Sequence, residues 1–530
     1  MNSASLCATA ALLLAPWASG DTQESSSLQQ RAQALIRAGK LSEALPILLE
    51  AHRNEPRNAA LCHQIGVVYT QLQQFTEAAR SYRMALAVDP QMTPARRNLG
   101  VVLWFSNEKP EAEREFVQVL KVRPEDPVPH FYIGMLNYER RQYLKAKDHF
   151  RKAGDLAIQN PEAFPAVLET SLATRDEALT NQLLSSADKD RAATSQPETW
   201  FQAGVLLGRY GSFDRAIEAF ERIRDSYSDQ AALMRNLGVA QLEARRYADA
   251  IQSIETLVRR GVGSVETYLL LAEAYDGAGE LQKAYDSYAK AIETAPKSEE
   301  GYLALSSFAA AHHNNTFALN VLSEGLERIP GSAGLLLQQG VIQALDDKMP
   351  QAENSFRQAR QANSAWVLPS LALGITQLQT SKLAEAAHSF QEAESASSDD
   401  YRPPYLLALA WVRAGGQDQP ARRGQIVSAL QRALKFSPNH ADSHVLLGQT
   451  YLSGNELDLA VAELEQAVKL EAENATALYQ LGIAYRKKGR LSEAGKVMTR
   501  FEALKARQRE TEDLARKELV QILKVVQKRP

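Results

Sequence analysis

Nine glycines fall on one grid. Gly66, Gly100, Gly134, Gly204, Gly238, Gly340, Gly374, Gly448 and Gly482 are separated by 34 residues, by 102, or by 70 and 74. These spacings are one unit, three units, and two units with two or six residues added. A second series keeps the same beat twelve residues later, at Ala44, Ala78, Ala112, Ala146, Ala216, Ala250, Ala284, Ala318, Ala352, Ala386, Ala460 and Ala494. A period of this length describes a stacked array in which each unit touches its neighbours. A chain of 530 residues built around single cores would divide into three or four domains; an array lengthens by adding units instead.

Counted from Ser25, units begin at Ala59, Thr93 and Pro127, giving four regular units over 25–160. An irregular stretch, 161–196, lacks the glycine and reads as a degenerate unit or a hinge. Six regular units follow over 197–400. A unit over 401–440 carries about six extra residues around Gly415–Pro420, read as a longer loop between its helices. Two more units occupy 441–508, and 509–530 reads as an amphipathic helix that caps the last seam.

Each unit carries two helical patterns. In Ala59–Gln71 the apolar residues Leu61, Ile65, Val68 and Tyr69 recur at three- and four-residue spacing. A polar break follows at Gln73-Gln74, then Ala78, Ala79, Tyr82, Ala85 and Leu86 repeat the pattern until Asp89-Pro90 ends it. No strand-length alternation competes, so the chain is expected to be all-α. Glycine inside a helix costs about 1 kcal/mol relative to alanine. Its recurrence at one place therefore points to close approach: Gly66 is expected to face Ala78. Tyr69, Tyr82, Phe116, Phe150, Phe220, Tyr288, Phe356 and Phe390 should fill the seams between units.

These residues resemble the tetratricopeptide repeat family. One unit reads Gly66, Tyr69, Ala78, Tyr82, Ala85, Pro90; another reads Tyr268, Ala272, Tyr275, Ala284, Tyr288, Ala291, Pro296. The resemblance covers about Ser25 to Gln508. It implies a right-handed α-solenoid superhelix of about fourteen antiparallel helix pairs. Its concave groove would be lined mainly by first helices and would hold peptides or proteins.

On that architecture the groove-facing residues are Arg97, Val101, Trp104 and Phe105 in one unit and Phe131, Met135 and Tyr138 in the next. This aromatic and methionine-rich stretch suits apolar peptide side chains. A weaker apolar stretch comprises Leu337, Val341, Leu345, Leu371, Ile375 and Leu378. Amides two residues before the glycine, among them Gln64, Asn98, Gln202, Asn236 and Gln338, could bond an extended peptide backbone. The family's carboxylate clamp is only echoed by Arg97-Asn98 and Arg235-Asn236, because the asparagine expected one turn on is Val101 or Val239.

The remaining chemistry is sparse. There is no phosphate-binding glycine loop, no paired-cysteine spacing and no His-Glu-x-x-His helix. His312 and His313 are adjacent and would point to different sides of a helix. The expectation is a non-enzymatic chain with no cofactor and no metal. A net charge of −3 argues against nucleic acid. Cys7 and Cys62 make no disulfide framework. The apolar run Leu6–Ala15, followed by Ala18-Ser19-Gly20, resembles a secretory signal peptide over 1–20, although no lysine or arginine precedes it. The run is too short to span a bilayer. The chain therefore reads as a scaffold or adaptor for protein or peptide partners, periplasmic or secreted, with a cytoplasmic location as the alternative. The family resemblance also admits a scaffold for polysaccharide synthesis or export, with the aromatics contacting sugar.

Overall fold

The computed structural model describes residues 23–189, 197–396 and 399–507. Among the described residues there are 29 α-helices, one 3-10 helix and no strand. The molecule comprises two compact units, Met1–Thr256 and Leu257–Pro530, each a row of antiparallel helix pairs. The signal peptide expected at 1–20 and the cap expected at 509–530 lie outside the described residues.

Local chemistry sets where each first helix starts and stops. Asn58 caps the helix Ala59–Gln71 by accepting from the Leu61 N–H, and Ser264 and Asn474 do the same for Val265–Gly277 and Ala475–Lys487. The turn to the second helix places one residue in the left-handed region. Gln73, Asn107, Arg141, Arg175, Arg245, His313, Asp347 and Ser381 occupy it, as do Gly279 and Gly489. His313 is thus a turn residue, since the helix Glu299–Ala311 ends before it.

The grid glycines answer to a different partner from the one expected. A Cβ added at Gly66 would lie 2.6 Å from Cε1 of Tyr82, sixteen residues on, and its three nearest neighbours are all atoms of that ring. The same holds for Gly100 against Phe116 at 2.6 Å, Gly204 against Phe220 at 2.4 Å, Gly340 against Phe356 at 2.5 Å and Gly374 against Phe390 at 2.5 Å. Each of these rings is buried against its own unit's glycine, and Ile254, Leu464 and Met498 take the same place at Gly238, Gly448 and Gly482, so the glycine makes room for a large side chain. The rings also reach the next unit: Phe116 stacks on Tyr132 with centroids 5.1 Å apart.

Successive units are joined at a recurring point, the fourth residue of the unit. Its side chain bonds the carbonyl of the closing proline six residues back. Arg96 donates to Pro90 O at 2.9 Å, His130 Nε2 to Pro124 O at 2.7 Å, Tyr302 to Pro296 O at 3.2 Å and His444 Nε2 to Pro438 O at 3.0 Å. Three of them also reach the second helix of their own unit. Arg96 meets Glu115 at 2.8 Å, His130 Nδ1 meets His149 Nδ1 at 2.8 Å, and His444 Nδ1 meets Glu463 at 2.6 Å.

The irregular stretch still makes a helix pair, Phe164–Ala173 and Glu177–Lys189. The first of these packs both on the preceding Tyr143–Ala153 helix and on the following Pro197–Arg209 helix. Leu168 stands where the glycine is missing and is fully buried. In place of the glycine–ring contact, the two helices share a buried hydrogen bond from Thr180 Oγ1 to Ser171 Oγ at 2.8 Å.

The six added residues at Gly415–Pro420 do not form a free loop. Gly415 takes the left-handed turn position, Gly416–Asp418 forms a 3-10 turn, and the second helix lengthens to Pro420–Phe436. Arg423 Nε and Ser453 Oγ both donate to the Gln417 carbonyl, at 2.8 and 3.2 Å, which ties the insertion to its own helix and to the next unit.

Candidate functional site

The first-helix line of the units at 93–126 and 127–160 was the expected binding face. Arg97, Val101, Trp104 and Phe105 recur at helical spacing on Thr93–Phe105, and Phe131, Met135 and Tyr138 on Pro127–Glu139. The helices bring them together, but to unequal depths. Val101, Trp104, Phe105, Met135 and Tyr138 are half-buried. Phe131 is 8% exposed and packs edge-on against Tyr132 at 5.1 Å.

The aromatic side chains are largely engaged with one another. Trp104 lies 5.2 Å from Tyr132, and Lys109 sits 5.0 Å over its ring. Phe105 stacks on Phe75 at 5.6 Å and meets Tyr132 edge-on at 6.4 Å. Tyr132, which pattern reading did not single out, is the hub of this cluster. Burial, with the nearby Glu162 carboxylate, holds its phenol well above the usual range. The rings of this stretch therefore knit three successive units together, with Trp104 and Phe105 still partly exposed.

Arg97 and Asn98 turn inward. The Arg97 guanidinium reaches Asp126 at 3.5 Å, and Asn98 is 1% exposed and donates from Nδ2 to His63 Nε2 at 3.1 Å. His63 must accept that bond, so its Nε2 is unprotonated. Burial first, and then the Arg97 charge, push its pKa down to about 4. The clamp-like pair is thus internal structure.

The amide column is not a ladder. Gln64 and Gln338 are buried, Gln202 is exposed and bonds Glu198 at 3.2 Å, and Asn236 bonds the Ala232 carbonyl of its own helix at 2.9 Å. Groups at such different depths do not present one row to a peptide backbone. In the second apolar stretch, Leu337, Val341, Leu371, Ile375 and Leu378 are all core residues, at most 3% exposed. Only Leu345 remains half-buried.

Sequence reading passed over one feature of the first-helix line. Glu169 accepts from Tyr138 at 2.7 Å, from Tyr210 at 3.4 Å and from Tyr143 at 3.5 Å, and Arg209 stands 3.8 Å away. Burial, followed by the Glu169 bond and charge, raises the Tyr138 phenol above its ordinary range. The positional signal was available. Glu169 follows the glycine place as Val101 follows Gly100, and Arg209 lies five residues past Gly204 as Phe105 lies past Gly100. It was hidden because the irregular unit has no glycine to count from.

Two family models match this architecture. One described as tetratricopeptide repeat matches residues 30–93, 63–127, 201–261 and 240–299, and one described as TPR repeat matches 448–489. The chain carries tetratricopeptide repeats over these stretches. BBSome complex member BBS4 of Bos taurus is 23% identical over 275 residues, covering 51% of this chain and 51% of that protein. Intraflagellar transport protein 70A of Bos taurus is 25% identical over 228 residues, covering 43% of this chain and 30% of that protein. The chain spans about half the length of these relatives, or less. Among solved structures, yeast Tom70 covers 95% of this chain and 96% of its own at 13% identity and a TM-score of 0.33. No helix among the described residues is long and apolar enough to cross a membrane.

Proposed function

We propose that this chain is a non-enzymatic scaffold that holds a peptide or protein segment along the first helices of its N-terminal units. One observation carries the reading. In successive units the first-helix line keeps large side chains half open: Val101, Trp104 and Phe105, then Met135 and Tyr138. The second helices instead tie their charges to each other and to neighbouring turns, as in Arg83–Glu111 at 3.0 Å and Arg140–Glu113 at 2.7 Å. Helix pairs occupy nearly all of the described residues, which supports a role in holding rather than in chemistry. A relative whose name marks it as a member of a complex supports the same reading. No observation favours the sugar-binding alternative over the peptide one, since the same half-open rings serve both readings.

A photo-crosslinking residue placed at Met135 tests the proposal against one at Leu144, which is 68% exposed on a second helix. Crosslinked partner is expected from Met135 and not from Leu144. Equal yields from both would remove the first-helix line as the binding face. Export is a further part of the proposal and rests on residues 1–20 alone; a mature protein beginning at Asp21 is its expected mark, and an intact Met1 in fractionated cells counts against it.

A further inference from the structure

Glu169 differs from several other shielded acids in what it is paired with. Glu353 holds Lys382 at 2.8 Å, Asp176 holds Arg151 at 2.7 Å and Asp400 holds Arg402 at 2.7 Å. The Glu169 side chain is 16% exposed, comparable to that of Asp400, yet its nearest cation is Arg209 at 3.8 Å on an arm that is 62% exposed. Its hydrogen bonds come instead from three phenols. Taking a carboxylate out of water is costly unless a strong partner compensates. Neutral hydroxyls, two of them at 3.4 Å or more, compensate it incompletely.

The position of the cluster is as telling as its chemistry. Tyr138 comes from Pro127–Glu139, Glu169 from Phe164–Ala173, and Arg209 ends Pro197–Arg209 with Tyr210 just beyond. Three successive first helices thus converge on one carboxylate, all within the compact unit Met1–Thr256. The Tyr138 and Tyr143 rings stand 6.3 Å apart at 58°, and both hydroxyls donate to Glu169. Aromatic faces attract a cation that comes within about 6 Å of a ring centroid, and a neighbouring carboxylate adds a charge-assisted hydrogen bond.

We infer that this tyrosine-walled carboxylate is the specificity point of the groove and takes a lysine or arginine side chain of the bound peptide. Arg209 is its weak internal substitute, displaced when the peptide enters. The inference rests on the peptide-holding reading above and adds to it the charge of the residue that is read.

The test uses the full chain and immobilised degenerate peptide pools that share one fixed central residue: lysine, arginine, glutamate or norleucine. Norleucine keeps the lysine stem without the charge. Wild type is expected to retain the lysine and arginine pools about tenfold better than the norleucine pool, the effect of one charge-assisted pair. Glu169→Gln, which still accepts from the phenols, should bring all pools to the norleucine level. Arg209→Ala should raise the lysine and arginine preference above that of wild type, the opposite sign. Because Arg209 is mostly exposed, this variant tests the inference even if Glu169→Gln fails to fold. Equal retention of lysine and norleucine pools by wild type overturns the inference and leaves peptide binding standing. An unchanged preference in Arg209→Ala overturns it as well. Retention of no pool at all overturns both.

Discussion

Glycine has two distinct roles in this chain, and the surroundings of each residue say which. At Gly100 an added methyl would press to 2.6 Å on the ring of Phe116, a side chain with no exposed surface and no room to move. Gly424 and Gly495 also lie inside helices, Pro420–Phe436 and Leu491–Arg507, but an added methyl there meets nothing within 4 Å. Gly100→Ala is therefore expected to destabilise by about 1–3 kcal/mol, overpacking outweighing the gain in helix propensity. Gly424→Ala and Gly495→Ala should each stabilise by up to about 1 kcal/mol. Urea unfolding of the three variants beside wild type checks this. A stabilised Gly100→Ala would mean that the ring is free to shift. The grid does not separate the two kinds in the sequence: Gly424 and Gly495 are off it, but so are Gly301, Gly325 and Gly334, where an added methyl would lie 2.8, 2.9 and 2.7 Å from a neighbour. It does not say what each on-grid glycine touches. That contact depends on how far the second helix is rotated about its axis, and helical periodicity leaves both Ala78 and Tyr82 on the inward face of their helix.

At the scale of the element, the junctions between units depend on the fourth residue and its reach back to the closing proline. Two junctions use histidine, with opposite protonation demands. His444 donates from Nε2 to Pro438 O and from Nδ1 to Glu463, so both nitrogens carry protons. The Glu463 bond raises its pKa, with the Pro438 bond helping and burial opposing. His130 donates from Nε2 to Pro124 O, and its Nδ1 faces His149 Nδ1, a pair that holds together only while at least one of the facing nitrogens is bare. Burial first, then His130 and Lys152, lower the His149 pKa, with Asp148 opposing. A histidine lowered on folding adds stability above its unfolded pKa of about 6.5 and loses it as the pH falls below that value. One raised on folding adds its stability in full below about 6.5 and loses it as the pH climbs through the folded value. Hydrogen exchange, corrected for its intrinsic pH dependence, should therefore show protection in Tyr143–Ala153 falling between pH 7 and 5.5 while that in Leu457–Leu470 holds or rises. His149→Glu recreates the Glu463 arrangement and should reverse the trend in Tyr143–Ala153. A parallel response of both helices in wild type would show that the pair does not set the junction. In the sequence these histidines are single polar residues on amphipathic helices. Their partners lie six residues back across a turn and nineteen residues on in another helix, distances that no single helical period relates.

The whole molecule is legible in its sequence to the extent that it repeats. The 34-residue beat predicts helix pairs, and pairs are found, down to the bounds of Ala59–Gln71. Where the beat fails, pattern reading coarsens. The stretch at 161–196 reads only as a degenerate unit or a hinge, without pointing to Glu169, and the longer loop read at Gly415–Pro420 does not foretell its 3-10 turn or the lengthened helix that follows. Burial along the first-helix line is also invisible to a local pattern. Val101 is half open and Val341 fully buried at the same place in two units, because exposure there depends on how closely the neighbouring units wrap. The repeat further dictates how damage spreads. Among the described residues the main contacts join helices that are near neighbours in the row, so stability is expected to be a sum of local terms with local openings. Gly340→Val forces a branched side chain against Phe356, where even a Cβ would lie at 2.5 Å, and should cost about 2 kcal/mol or more. That cost should appear in native-state hydrogen exchange as lost protection in the helices Ala333–Leu345, Met349–Ala362 and their immediate neighbours. Protection in Ala59–Gln71 and Phe75–Val88 should stay as in wild type. A loss of similar size in both places would show that the chain opens as one cooperative body, and the nearest-neighbour account would then have to give way to long-range coupling between units.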